Sequence, residues 1–333
     1  MIKYGMNKNL FMLQTIVIYG GFFMYNFRTD LADERRDIYR KANNLENEVP
    51  GVETECKVDD NVATTKVIIK DNEGAEALGK PIGTYVTIDI KNLRIAQNDE
   101  ISKAANIVAD ELKGIYGKHI QNEDDILVVG LGNMNVTPDA LGPMVARDID
   151  ITRHFLKYAP QYLEPNTRPV SAIAPGVLGT TGIETQEILK GVVDNIKPKL
   201  IIVIDSLASK SIERISSTIQ IADTGIVPGA GVGNTRKELS IDTLGVPVIA
   251  IGVPTVVEAA TLAADSLNML IEKLQNEAKS NDYLNKLKDE DKYTMIRDAL
   301  IPRDFNLIVT PKEIDNLIEN MSSVIARGIN ISL

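Results

Sequence analysis

The sequence has a single cysteine, only two histidines, and none of the short words that mark the common hydrolases. Cys56 alone cannot close an intrachain disulfide or build a multi-cysteine metal site, and such sparse thiol usage suits a reducing compartment. The acids of VETECKVDD surround it and raise a thiol's pKa, so an inert thiol is expected rather than a nucleophile. His119 and His154 fall in helical or helix-end contexts with no nucleophile motif beside them. Neither G-x-S-x-G nor H-E-x-x-H occurs, which argues against serine-hydrolase and zincin chemistry. GLGN at 130–133 lacks the third glycine of a dinucleotide fingerprint and is followed by no Walker lysine, so no nucleotide site is expected. Positive charge is also in short supply. Lys and Arg number 36 against 46 Asp and Glu, a formal net charge of −10. Phosphate binding needs clustered cations, so direct nucleic-acid binding is not expected.

No long membrane-spanning run is present either. The apolar opening at 10–26, LFMLQTIVIYGGFFMYN, is short for a span and is broken by Gln14, Thr15 and Gly20-Gly21. Lys3 and Lys8 give it a positive end, but no small-residue cleavage site follows. Three readings fit: translation that starts at Met24, a secretion or membrane signal, or a folded element. The first is preferred, and no membrane association is expected.

What is present reads as an α/β chain. At 333 residues it can bury a substantial core, and its 44% hydrophobic and 25% charged residues are ordinary globular values. Residues 33–60 are highly charged and read as a helix followed by a loop. ATTKVIIKD (63–71) and GTYVTIDIK (83–91) are β-branched and bounded by turn residues, the pattern of a strand pair. DEISKAANIVADELKGIYGK (99–118) has helical spacing. Four nearly continuous apolar runs follow, at 125–132, 169–175, 200–208 and 246–254, with helical patterns between them. Such runs predict buried parallel strands with helical crossovers. TIQIADTG (218–225) predicts an edge strand, and 255–274 a long amphipathic helix. A polar excursion covers about 275–300. In the tail, Thr310 is placed as an N-cap with Pro311 at the first helical position. The expected fold is α/β and three-layered: a mixed, mostly parallel sheet with helices on both faces.

In an open parallel sheet, ligands bind beyond the carboxyl ends of the strands. Two carboxylates fall there. Asp139 follows ILVVGLGN and is placed on the first turn of the next helix; Asp205 is placed at the tip of LIIVI. Two nearby carboxyls resist joint ionisation, so one pKa falls and the other rises, giving a base and an acid that can activate water and protonate a leaving group. Helix-terminal amides favour Asp139 as the base, and apolar strand neighbours favour Asp205 as the acid. The plainer readings are a helix-start acid for Asp139 and a cap for Asp205, and carboxylates at strand ends also commonly hold metal. Asp223-Thr224-Gly225 copies the tripeptide of pepsin-like proteases, but those folds are all-β and carry two copies, so Asp223 is taken as a turn residue. Arg236 and Lys237 are expected to be solvated unless their loop folds over the sheet edge.

Taken together, VGLGNMNVTPDALGP, VSAIAPGVLGTTGIETQEI, IDSLASKSIERISSTIQIADTGIVPGAGVGN and LGVPVIAIGVPTVV resemble the germination protease (spore protease) family. The likeness runs from about Phe27 to the carboxyl end and is weak over 34–60 and after 275. It implies an atypical aspartic-type endopeptidase, with no obligatory metal or cofactor, that degrades small acid-soluble spore proteins during germination. Its proposed catalytic aspartates map onto Asp139 and Asp205. The likeness also implies a homotetramer in the cytoplasm of the forespore or spore core, made as a zymogen that removes its own N-terminal segment. Substrates of the family are cut after an acid in a Thr-Glu-apolar-Ala word, which RTDLA resembles, so self-cleavage is expected between Asp30 and Leu31. The domain reading that follows is a leader or propeptide over 1–30 and one peptidase domain over 31–333. GLGN…PDALGP is also distantly similar to hydrogenase maturation endopeptidases, which use carboxylates at the same strand ends to sense a metal. A metal-binding sensor or metal-dependent maturation-type endopeptidase on the same fold is therefore the alternative.

Overall fold

The computed structural model describes residues 29–59, 61–91, 98–117, 120–121, 123–229, 236–277 and 307–333. The apolar opening, His119 and most of the polar excursion lie outside the described residues.

Helix α1 (Ala32–Ala42) is followed by β1 (Val52–Asp59), β2 (Val62–Ile69), α2 (Asn72–Leu78) and β3 (Gly83–Ile90). Then come α3 (Asn98–Tyr116), β4 (Ile126–Gly130), α4 (Leu141–Arg147), α5 (Arg153–Tyr158), β5 (Val170–Ile173), α6 (Leu178–Thr181) and α7 (Thr185–Ile196). The last third holds β6 (Leu200–Ser209), β7 (Thr218–Ala222), α8 (Ile241–Leu244), β8 (Val248–Glu258), α9 (Ala259–Glu277), β9 (Ile308–Val309) and α10 (Ile314–Ser332).

The nine strands among the described residues join one sheet in the order β1-β2-β3-β7-β8-β6-β4-β5, with β9 paired to β8. The β8-β6-β4-β5 half is parallel, while β1 to β3 and β7 add an antiparallel wing. Side chains alternate across the sheet, so the apolar run of β6 serves two cores. Ile202 and Ile204 pack with Leu112 of α3, Val145 of α4 and Ile325 of α10. Ile201 and Val203 pack on the opposite face with Leu189 and Val193 of α7 and Leu244 of α8. Helices therefore cover both faces, as expected. Each fully buried Leu or Ile contributes about 1.5–3 kcal/mol, which is why a two-sided strand carries almost no polar residue before Asp205. A smaller cluster of Ala32, Val67, Leu78 and Tyr85 seats α1 and α2 on the antiparallel wing.

Several local expectations are corrected. Residues 52–59 form β1 rather than a loop, and their acids and lysine project from an exposed edge strand, where charge discourages further pairing. β7 lies inside the sheet between β3 and β8, not at an edge. It is short and antiparallel, and strand length alone gave no clue to its neighbours. β8 runs on to Glu258, so the helix placed at 255 starts at Ala259. Thr310 donates its hydroxyl to the Thr255 carbonyl instead of capping, and α10 begins at Ile314.

Gly142 fixes how closely α4 approaches the sheet. A Cβ there would lie 2.2 Å from the Leu131 carbonyl oxygen and 2.7 Å from that of Ile204. Only glycine lets the helix backbone sit on the strand exits that carry the site.

Candidate active site

Strand β6 outruns β4. Their last paired residues are Gly130 and Ile204, so Asp205 is the first β6 residue past the end of β4. It is not at the tip of its own strand, because β6 continues along β8 to Ser209. Its side chain is 6% exposed, and Oδ1 accepts the Ser206 N–H at 2.9 Å.

Asp139 arrives from the loop after β4. It ends a 3-10 turn, Thr137–Asp139, one residue ahead of α4 rather than in that helix's first turn. The turn is tied down by Asp139 N–H to the Val136 carbonyl at 2.8 Å and by Asn133 N–H to the Asp139 carbonyl at 3.0 Å. Gly132, at φ +115°, sits where any Cβ would be 2.0 Å from that carbonyl. The second glycine of GLGN thus folds the loop back on Asp139.

Asp30, Asp139 and Asp205 line one cleft of about 320 Å³, together with Val177, Glu184 and Arg236. Burial, then the charge of Asp139, then that of Asp30 raise the Asp205 pKa well above its ordinary 3.8, against the Ser206 N–H. Burial likewise raises Asp139 to about 6, with the Asn133 N–H pulling it down. Helix-terminal amides do not govern Asp139; desolvation does. Among the described residues, no group of three or more His, Cys, Asp and Glu is arranged to hold a metal ion.

Of the word RTDLA, residues 29–32 are described, and Asp30 lines this cleft. Thr29, Leu31 and Ala32 are fully or almost fully buried. Asp30 N–H donates to the Ala208 carbonyl at 2.9 Å, and Ala208 N–H donates to Asp30 Oδ2 at 2.9 Å. A register shift between Leu207 and Ala208 in the β6–β8 pairing re-aims this end of β6. Gln220 holds the other side: its Nε2 donates to the Asp30 carbonyl at 3.1 Å, and its Oε1 accepts the Ala32 N–H at 2.7 Å. Thr29 Oγ1 accepts the Leu31 N–H at 3.1 Å and donates to Glu34. Glu34 in turn accepts the Lys210 N–H at 2.8 Å, and Arg214 pairs with Asp33 at 2.6 Å.

A second cleft, of about 160 Å³, shares Asp30 and Asp205 and adds Arg35, Lys80, Tyr85 and Gln220. The Lys80 ammonium lies 5.2 Å from the Tyr85 ring centroid. Burial brings Lys80 down to about 8, against the Asp30 carboxylate, which favours its charged form. Burial also lowers Arg35, again opposed by Asp30.

The site therefore brings together Asp30, Leu31, Asp139 and Asp205. Asp223 stays out of both clefts: its Oδ1 accepts the Thr84 N–H at 2.7 Å in the turn after β7. Arg236 does line the larger cleft, contrary to a wholly solvated role, while Lys237 pairs with Glu187 at 3.0 Å on the surface. His154 is exposed and stacks on Phe155 at 4.1 Å between ring centroids. Sequence reasoning missed Gln220 and Lys80. The signal for Gln220 was visible as one amide between two isoleucines in TIQIA; Lys80 gave none, being one lysine among many polar residues of a turn.

Asp139 and Asp205 thus share one cleft past the carboxyl end of β4 with Asp30 of the N-terminal segment. The germination protease family model matches residues 29–286 and 282–333. The chain is 48% identical over 315 residues to a germination protease of Clostridium perfringens, covering 93% of this chain and 96% of that one. It is 47% identical over 310 residues to that of Caldanaerobacter subterraneus, covering 92% and 94%, and 40% identical over 345 residues to that of Bacillus cytotoxicus, covering 93% and 94%. A solved NiFe hydrogenase maturation protease from Thermococcus kodakarensis is similar over 42% of this chain and 80% of its own, at 18% identity and a TM-score of 0.27. The chain belongs to the germination protease family. As a member it is a peptidase of spore germination. Among the described residues, no helix is long and apolar enough to cross a membrane.

Proposed function

We propose that the protein is an aspartic-type endopeptidase, made as a zymogen, that cuts its own Asp30–Leu31 bond and then small acid-soluble spore proteins. The observation that carries this reading is that Asp139, Asp205 and Asp30 line a single cleft. Asp139, ionised above about 6, takes a proton from water as its oxygen bonds to the Asp30 carbonyl carbon. The carbonyl electron pair moves to oxygen. On collapse the C–N bond breaks, and the Leu31 nitrogen takes the proton of Asp205, whose hold on it burial and the Asp139 charge strengthen. Asp139 then holds the proton taken from water and Asp205 holds none, and exchange with solvent restores the starting states. Lys80, Arg35 and the Ala208 N–H surround the Asp30 side chain and suit an acid before the cut. Residues 1–30 are the propeptide in this reading, and 31–333 form the peptidase domain. Family membership supports a homotetramer working in the spore core.

The test is to incubate the purified chain, alone and with a small spore protein, and to sequence the new N-termini. Leu31 as a new N-terminus in wild type, absent in Asp139→Asn and in Asp205→Asn, is the expected result. Wild-type cutting by either folded variant removes that residue from the acid–base pair.

A further inference from the structure

Gln220 is an amide in the middle of an interior strand. Ile219 and Ile221 on either side face a helix-covered core, and Gln220 points to the opposite face, where it is 7% exposed. A buried amide is costly unless hydrogen-bonded. Here the bonds go to residues 30–32 and nowhere else on the sheet: Nε2 to the Asp30 carbonyl and Oε1 from the Ala32 N–H. The amide thus spans Leu31 and grips the main chain on both sides of it, in the manner of a neighbouring β-strand. Both bonds are to main-chain atoms of the word. Its partner on β8 is Gly252, whose missing side chain makes room for Leu207, and all three line the second cleft.

We infer that Gln220 is a catalytic residue that clamps the backbone across the scissile bond and donates to the carbonyl oxygen on which charge develops. This rests on the reading that Asp30–Leu31 is the bond cut. When water adds to the Asp30 carbonyl carbon, the electron pair displaced onto oxygen falls on the atom that Gln220 Nε2–H already contacts. Its Oε1 meanwhile holds the Ala32 N–H, so the peptide on the leaving side cannot rotate away.

The test follows self-cleavage of the freshly purified full chain. Gln220→Ala and the similarly shaped Gln220→Met, which offers no N–H, are expected to slow the appearance of the Leu31 N-terminus about 100-fold or more, the cost of losing one donor to a developing oxyanion. Self-cleavage by a folded variant within about threefold of the wild-type rate overturns the assignment. Thermal melting identifies which variant is folded, and either one suffices. Failure of the underlying reading looks different: wild type itself then yields no Leu31 N-terminus.

Discussion

Asp30 and Ala208 exchange two hydrogen bonds of 2.9 Å, one through the Asp30 main chain and one through its carboxylate. A single residue of β6 thereby reads both the path of the segment and the acid on it. Hydrogen bonds to charged groups contribute about 1.5–3 kcal/mol. Replacing Asp30 by Ala is therefore expected to slow self-processing roughly ten- to a hundredfold, and Asp30→Lys to stop it, with Asp30→Glu affected least. A gel time course on freshly purified chain measures this; equal rates for Asp30→Ala and wild type would remove the carboxylate from recognition.

The pH profile of cleavage should rise across about 6, where Asp139 ionises, and fall where Asp205, its pKa raised by burial and by the Asp139 charge, loses its proton. The working form has one proton on the pair, so the profile is bell-shaped with midpoints belonging to the pair. An acid limb near the ordinary carboxylate value would contradict a desolvated base.

Lys80 carries its charge below about 8 and loses it above. Selectivity for an acid over its amide before the cut should weaken as pH rises through that value. Lys80→Met should lose most of the selectivity at every pH. The ratio of kcat/KM for peptides with Asp and with Asn at the position of Asp30 is the measurement, and a drop of about tenfold or more is expected.

Stability should run opposite to catalysis. The folded pKa of Asp139, about 6, lies above its ordinary 3.8, so the folded state holds the proton more tightly. The stabilisation is fully present below the unfolded value and is lost as pH rises through the folded one. The shift corresponds to about 3 kcal/mol once the carboxyl is ionised. Asp139→Asn should therefore melt a few degrees higher than wild type at pH 8 and show no such gain near pH 4. Asp205, raised further by burial and by Asp139, should behave in the same direction. Melting curves at both pH values decide it.

The parallel half of the sheet was legible in the sequence because both of its faces are covered, which forces unbroken apolar runs such as LIIVI. Asp139 and Asp205 were legible for the same reason, as charges at the ends of runs that tolerate none. β1 was not, since its one buried residue of eight, Val52, leaves no alternation to read. Nor was the interior position of β7, because strand order is set by crossovers and not by composition. Gln220 and Lys80 act through residues 190 and 50 positions away from Asp30 in the chain, a proximity that only folding creates. The length of the Asp205 strand was misjudged because β6 keeps pairing with β8 after β4 has turned away.

The bond before Leu31 abuts the first turn of α1, whose N-cap residue, Leu31, makes no capping bond with its own side chain. A cut there leaves a free ammonium at the positive pole of the helix, a poorer neighbour for it than the peptide it replaces. Rejoining the ends would restore an uncharged cap yet require the released piece to return at a concentration it no longer has. Processing of this kind behaves as a ratchet, and the vacated channel is left to the next polypeptide that can lie in it.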